Sequence, residues 1–342
     1  MAGAGFCDSR PLLDLHQQVD DRRALFKSWQ CTDKYTDSSV VPLSLEAECR
    51  WDALHALVPT LLRREVEIAL EKLDLIWDHA YAWEMFLDMM RSQALCTFST
   101  KDLPANFTES TRGILVDWLI KVHEMMHFQD ETLFLAIHLL NRTLRLLKVP
   151  TANLQLLGMV CLFIAAKKEE SLLPEVSDLC YVMDYTYTKS QLLRMERKVL
   201  SRLKFDLSYC APLHFLLLFA SVARYSAKMT WMARYFLELS LLEGQCVVFQ
   251  PVQLAEAALC LARLVLKEPP TPEGEAAWCL VSSLHVGNES ILLSIMHILA
   301  TAAASAQRDT CATYIKFSSP EMMHISRHPG LVNASLLLGV HK

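Results

Sequence analysis

Residues His123-Glu124-Met125-Met126-His127 spell HExxH. On a helix this spacing puts two imidazoles on one face, ready to hold zinc, with the glutamate as general base. A hydrolytic zinc centre also needs a third protein ligand and an open coordination position. Asp130 and Leu133 stand where the longer zinc-protease motif requires Gly and His, and no Asp or Glu occurs from Thr132 through Ala166. The expectation is therefore no metal centre, no catalytic residue and no enzyme.

A second constellation carries more weight. Placed on a helical wheel, Thr188–Leu203 puts Leu192, Leu193, Met195, Val199, Leu200 and Leu203 in one sector. Glu196 falls in the middle of it, while Arg194, Arg197, Lys198 and Arg202 form a solvated basic face. A carboxylate on a core-facing sector is costly unless paired or hydrogen-bonded. The expected partner is Lys167, which follows the uncharged run from Leu156 to Ala166. Two readings stand: an internal structural ion pair, or a half-buried pair offered to another protein's backbone.

A third constellation lies on Thr111–His127. Leu115, Leu119, Val122 and Met126 form a core stripe, and Ile114, Trp118 and Met125 form another on its flank. That flank is either packed by preceding helices or an exposed patch that docks a peptide. RxxL occurs at Arg10–Leu13, Arg112–Leu115 and Arg263–Leu266. Recurring inside helices, it carries little information as a degradation signal.

These residues need helices to position them. Leu154–Glu170 is apolar on all sides before its charged end, which predicts a helix buried on every face. It is too short for a bilayer span, which takes about 20 apolar residues. Further helices are expected at Trp77–Ser92, Thr111–His127 (capped by Thr108 or Ser110), Asp130–Leu147 (capped by Asp130), Ala152–Glu169, Pro174–Tyr181 and Thr188–Leu203. An offset of 98 residues carries Leu154-Gln155-Leu156 onto Val252-Gln253-Leu254 and Ser190–Leu203 onto Asn288–Thr301. This period is too long for a solenoid unit, and implies one five-helix domain duplicated in tandem. The second copy has Val265 and Ser294 at the positions of Lys167 and Glu196. The fold alone does not require the pair, which favours the partner-facing reading.

Composition agrees. The chain has 342 residues, 52% of them hydrophobic, with 9 glycines and no phosphate-cradling glycine loop. A net charge of −5 predicts neither nucleic acid nor a membrane as partner. The 11 cysteines lack any CxxC spacing, which fits reduced thiols of the nucleus and cytoplasm. The expected organisation is a disordered segment at 1–45 without a signal-peptide core, a helical extension at 46–76, a first box at 77–207 with its preceding helix, a second at 208–305, and an irregular tail at 306–342.

ESTRGILVDWLIKVHE (Glu109–Glu124) resembles the opening of the cyclin box. LQLLGMVCLFIAAKKEE (Leu154–Glu170) and YTYTKSQLLRMERKVLSRLKFDL (Tyr185–Leu207) resemble its third and fifth helices. In the second copy, PLHFL (Pro212–Leu216) and ARYFLELSLLE (Ala233–Glu243) are similar to mitotic B-type cyclins. The likeness spans about Trp77–Leu299. It implies an all-α fold of two tandem cyclin boxes after an N-terminal helix, without cofactor, that binds and activates a cyclin-dependent Ser/Thr kinase. By resemblance, Lys167 and Glu196 grip the kinase near its PSTAIRE-type helix, with Lys168, Glu170, Phe205 and Leu207 around them. Ile114, Leu115, Trp118, Lys121, Leu154 and Gln155 match a docking patch for substrate or inhibitor peptides. Several positions depart from the pattern. Asn141 replaces the acid that would pair with Arg112, Thr111 replaces a Met of the docking patch, and Lys121 replaces an acid that receives a substrate arginine. Lys168 replaces an aromatic, with Glu169 or Glu170 available to neutralise it. An adaptor that docks partners without activating a kinase stays open. A transcription adaptor with cyclin-like boxes would want a zinc ribbon and a basic surface, and neither is present.

Overall fold

A computed structural model describes residues 60–73, 79–99, 103–282, 289–306, 310–332 and 334. The segment 1–45, most of the flanking extension and Arg10–Leu13 lie outside the described residues. Thirteen α-helices and no strand occur among those described.

Two compact units emerge from the contacts. The smaller contains α1 (Thr60–Lys72), α2 (His79–Ser92) up to Arg91, the end of α8 (Pro212–Val222) and α11 (Pro272–Ser282). Its core is Leu62, Val66 and Leu70 on α1, Trp83, Phe86 and Met90 on α2, and Phe219 and Trp278. Phe219 and Tyr225 flank the Trp278 ring, and Arg224 pairs with Glu65 at 3.2 Å. Gly274 is obligatory here, because a Cβ would lie 2.2 Å from the Ala223 carbonyl oxygen.

The larger unit contains α3 (Glu109–Met125), α4 (Asp130–Leu146), α5 (Leu154–Glu169), α6 (Val176–Val182), α7 (Lys189–Leu203), α9 (Ala227–Leu242), α10 (Pro251–Leu266), α12 (Glu289–Ser305) and α13 (Ala312–Lys316). Every residue of α5 from Leu154 to Ala166 is buried except Gln155. It packs on α4, α7 and α3. Gly158 sits where the Leu115 and Leu119 side chains press close, 3.2 and 3.1 Å from a hypothetical Cβ. The structure repeats. Adding 98 to α3 through α7 lands on α8 through α12 in turn, and α10, the counterpart of α5, packs on α9 and α12.

Caps explain the boundaries. Thr108 accepts from the Thr111 amide, and Thr188 and Gln191 form a reciprocal capping box on α7. Gln129, not Asp130, is the cap residue of α4; the Asp130 carboxylate is bound to Arg234 and Lys316 instead. Ala152 falls in a 3-10 turn, Thr151–Asn153, so α5 starts at Leu154. The segment expected to be an irregular tail contains α13 and two 3-10 turns, Ile325–Arg327 and Pro329–Leu331. No periodicity announces it, because α13 is a single turn held by tertiary contacts with α3 and α9.

Candidate functional site

The end of α5 brings Lys167 to the surface, and the middle of α7 brings Glu196 beneath it. Lys167 Nζ donates to Glu196 Oε1 at 2.5 Å, with the Lys167 side chain 41% exposed and that of Glu196 8%. The ammonium also rides over the Phe163 ring at 4.2 Å, a cation–π contact that fixes its direction. On α7, Leu192, Val199 and Leu203 are buried with Glu196 as the wheel requires, while Leu193 is exposed. Lys168 pairs with Glu169 at 2.6 Å.

Glu170 is engaged differently from the expectation. Its Oε1 accepts from the Gln129 amide at 2.7 Å and from the Thr132 hydroxyl. It closes the start of α4, where unpaired amides attract a carboxylate, and does not neutralise Lys168. Phe205 is 71% exposed, and Leu207 is half-buried. Lys204 and Phe205 both adopt left-handed backbone angles, φ 54° and 57°. Arg142 on α4 holds this turn by donating to the Asp206 carbonyl at 2.9 Å and its carboxylate at 2.8 Å. Together with Arg142, the Ser208 amide, 3.1 Å away, keeps the Asp206 carboxyl at about 2. Sequence reasoning missed an exposed apolar set nearby in the chain: Leu172, Leu173, Tyr181 and Tyr185, the two tyrosines edge-to-face at 6.0 Å.

The docking patch is less open than expected. Leu115 and Leu154 are 7% and 3% exposed and belong to the core, because α3 and α5 cross closely at Gly158. Ile114 is exposed, and Trp118 and Gln155 are half-buried. Lys121 pairs with Asp117 at 2.7 Å and donates to the Thr310 carbonyl; Asp117 in turn accepts from the Ala312 amide. Thr310 and Ala312 thus engage the Lys121 end of the patch, while the Lys121 side chain itself stays half-exposed.

The HExxH geometry does not form. The helix ends at Met125, His127 lies beyond it at φ 54°, and the buried His123 ring bonds the Gln129 carbonyl at 2.8 Å. Arg112 is buried and donates to Asn141 Oδ1 at 2.8 Å, a neutral partner as the sequence indicated.

A buried ionic cluster went unforeseen. Lys316 on α13 contacts Glu238 at 2.7 Å, Asp130 at 3.0 Å and Glu124 at 3.1 Å, with Arg234 on Asp130. Burial acts against ionisation of Asp130, but Lys316 and Arg234 hold its carboxyl at about 2. Glu238 carries the same sequence signal as Glu196, a lone carboxylate inside an apolar helical run.

Comparison with known proteins fits this arrangement. Residues 80–208 match the N-terminal domain of cyclins and residues 210–331 the C-terminal domain. The G2/mitotic-specific cyclin-B2 of Rana japonica is 37% identical over 229 residues, 66% of this chain and 57% of the relative. The G2/mitotic-specific cyclin-B of Spisula solidissima is 34% identical, covering 64% of this chain and 50% of the relative. The chain thus spans little more than half the length of these curated relatives. A viral cyclin from herpesvirus saimiri superposes with a TM-score of 0.51 at 17% identity, over 63% of this chain and 96% of that one. With both domains present and in order, the chain belongs to the cyclin family.

Proposed function

We propose that this chain is a non-catalytic regulatory subunit that binds and activates a cyclin-dependent Ser/Thr protein kinase in cell-cycle control, in the nucleus and cytoplasm. The observation that carries this reading is the Lys167–Glu196 pair, half-open to solvent at the end of the central helix and replaced by Val265 and Ser294 in the second repeat. An ammonium has three N–H donors and a carboxylate about four acceptor positions. One hydrogen bond between them leaves both able to bind a partner's backbone, while each orients the other. Lys168, paired with Glu169, lies beside them. Phe205, projected by a strained turn that Arg142 and Asp206 brace, supplies apolar contact next to Leu207. Clamping a kinase helix this way selects the rotated position in which the kinase's own Lys–Glu pair and activation loop are competent. Glu170, half-buried next to Lys168 in the chain, contributes by closing α4 and holding its start against the end of α5. Ile114, Trp118 and Gln155 form a narrower docking site for substrate or inhibitor peptides.

The test is reconstitution with a panel of purified cyclin-dependent kinases, scoring complex formation and peptide phosphorylation. A Lys167→Ala/Glu196→Ala variant runs beside the native chain. Binding and activity that fall together in the variant, by at least about tenfold, are the expected result. Binding without activation identifies a docking adaptor, and absence of binding to every kinase overturns the reading.

A further inference from the structure

Arg112 is the odd cation of the larger unit. It is 2% exposed, yet none of its hydrogen-bond partners is an acid. Nη1 donates to Asn141 Oδ1 at 2.8 Å and Nη2 to the Leu241 carbonyl at 3.0 Å, while Nε–H has no partner. Phe107 lies 5.9 Å from the guanidinium. Glu109 and Glu243 act on Arg112 only through space, and Glu109 is occupied by the Gly244 amide at 3.0 Å. Burial outweighs the charges of Glu109, Cys246 and Glu243 and pulls the guanidinium down to about 10.

Arg112 lines a cavity of about 60 Å³. The wall also presents Asn141, His138, Tyr209, Ser240 and Cys246, and it includes no Asp, Glu or Lys. His138 is neutral, pushed by burial and Arg142 to about 3, and the Cys246 thiol is pushed up to about 12. Arg112 is therefore the wall's charged group at neutral pH. A buried guanidinium with no hydrogen-bonded counter-ion and an unpaired Nε–H is unfavourable. The space exceeds what a single water requires, about 10–15 Å³ on this measure. It has room for a compact monovalent ion together with water.

We propose that this cavity is a binding site for a small monovalent inorganic anion of the halide class, which serves Arg112 as its counter-ion. The anion takes the place that a carboxylate would fill and ties α3, α4 and α9 together through Arg112. The site depends on this chain's own side chains alone and is independent of any kinase.

The test uses the full chain. Thermal unfolding is followed at constant ionic strength while sodium gluconate, whose anion is a bulky polyhydroxylated carboxylate, is replaced by sodium chloride. Chlorine NMR linewidths are recorded on the same samples. The native chain is expected to gain about 2–4 °C saturably and to broaden the chloride line. Asn141→Asp supplies the negative charge from within. It is expected to fold, to show the raised midpoint already in gluconate, and to lose both chloride responses. No saturable gain in the native chain, an equal effect of gluconate, or a response that survives in Asn141→Asp each overturns the proposal.

Discussion

At the scale of single residues, burial without charge compensation governs behaviour. His138 is 5% exposed, stacked on Tyr209 at 4.1 Å, and held at about 3 by burial with Arg142 adding to the shift. An unfolded histidine binds a proton below about 6.5. Between that value and about 3 the unfolded chain takes up a proton that the folded chain refuses. Stability contributed by this residue is therefore complete above about pH 6.5 and declines as pH falls, by at most about 1.4 kcal/mol per unit. His138→Phe keeps the ring stack and removes the proton. Its urea midpoint is expected to change less between about pH 7.5 and pH 5 than that of the native chain. An unchanged slope would show that other groups carry the acid sensitivity. Glu196 illustrates what was legible at this scale. Its misfit to an apolar wheel marks it, because pattern alone exposes a carboxylate facing the core. Glu170 was not legible, since adjacency to Lys168 in sequence says nothing about which way its side chain turns.

At the scale of elements, the helices follow from local chemistry. The start of α7 is set by Thr188 and Gln191, each accepting the other's backbone amide. Thr188→Ala removes one of these bonds and is expected to cost about 1 kcal/mol in urea unfolding, with Lys167 and Glu196 unaltered. A loss indistinguishable from zero would mean that tertiary packing alone fixes the start of α7. The two left-handed residues after α7 had no such signal. Lys204 and Phe205 are poor left-handed residues on intrinsic grounds, and Arg142, more than 60 positions away, imposes the turn through Asp206.

At the scale of the molecule, α13 is tied down by charge. The Lys316 side chain is 3% exposed among Glu238, Asp130 and Glu124. Lys316→Met leaves Glu238 buried without its cation and is expected to destabilise by about 3–5 kcal/mol. Adding Glu238→Leu should recover part of that loss. Denaturant unfolding of both variants decides the matter, and a Lys316→Met cost below about 1 kcal/mol would rule out the cluster as the anchor of α13.

Local pattern determined the helices, their duplication at 98 residues, the buried rod α5 and the pairing of Lys167 with Glu196. Each depends on side-chain periodicity and on the cost of burying an unpaired charge. Tertiary structure alone decided that Glu170 closes α4, that the Thr310 carbonyl and the Ala312 amide bond Lys121 and Asp117, and that Arg112 is buried beside a cavity. These outcomes depend on which surfaces meet across distant stretches of chain, and no window of sequence contains both partners.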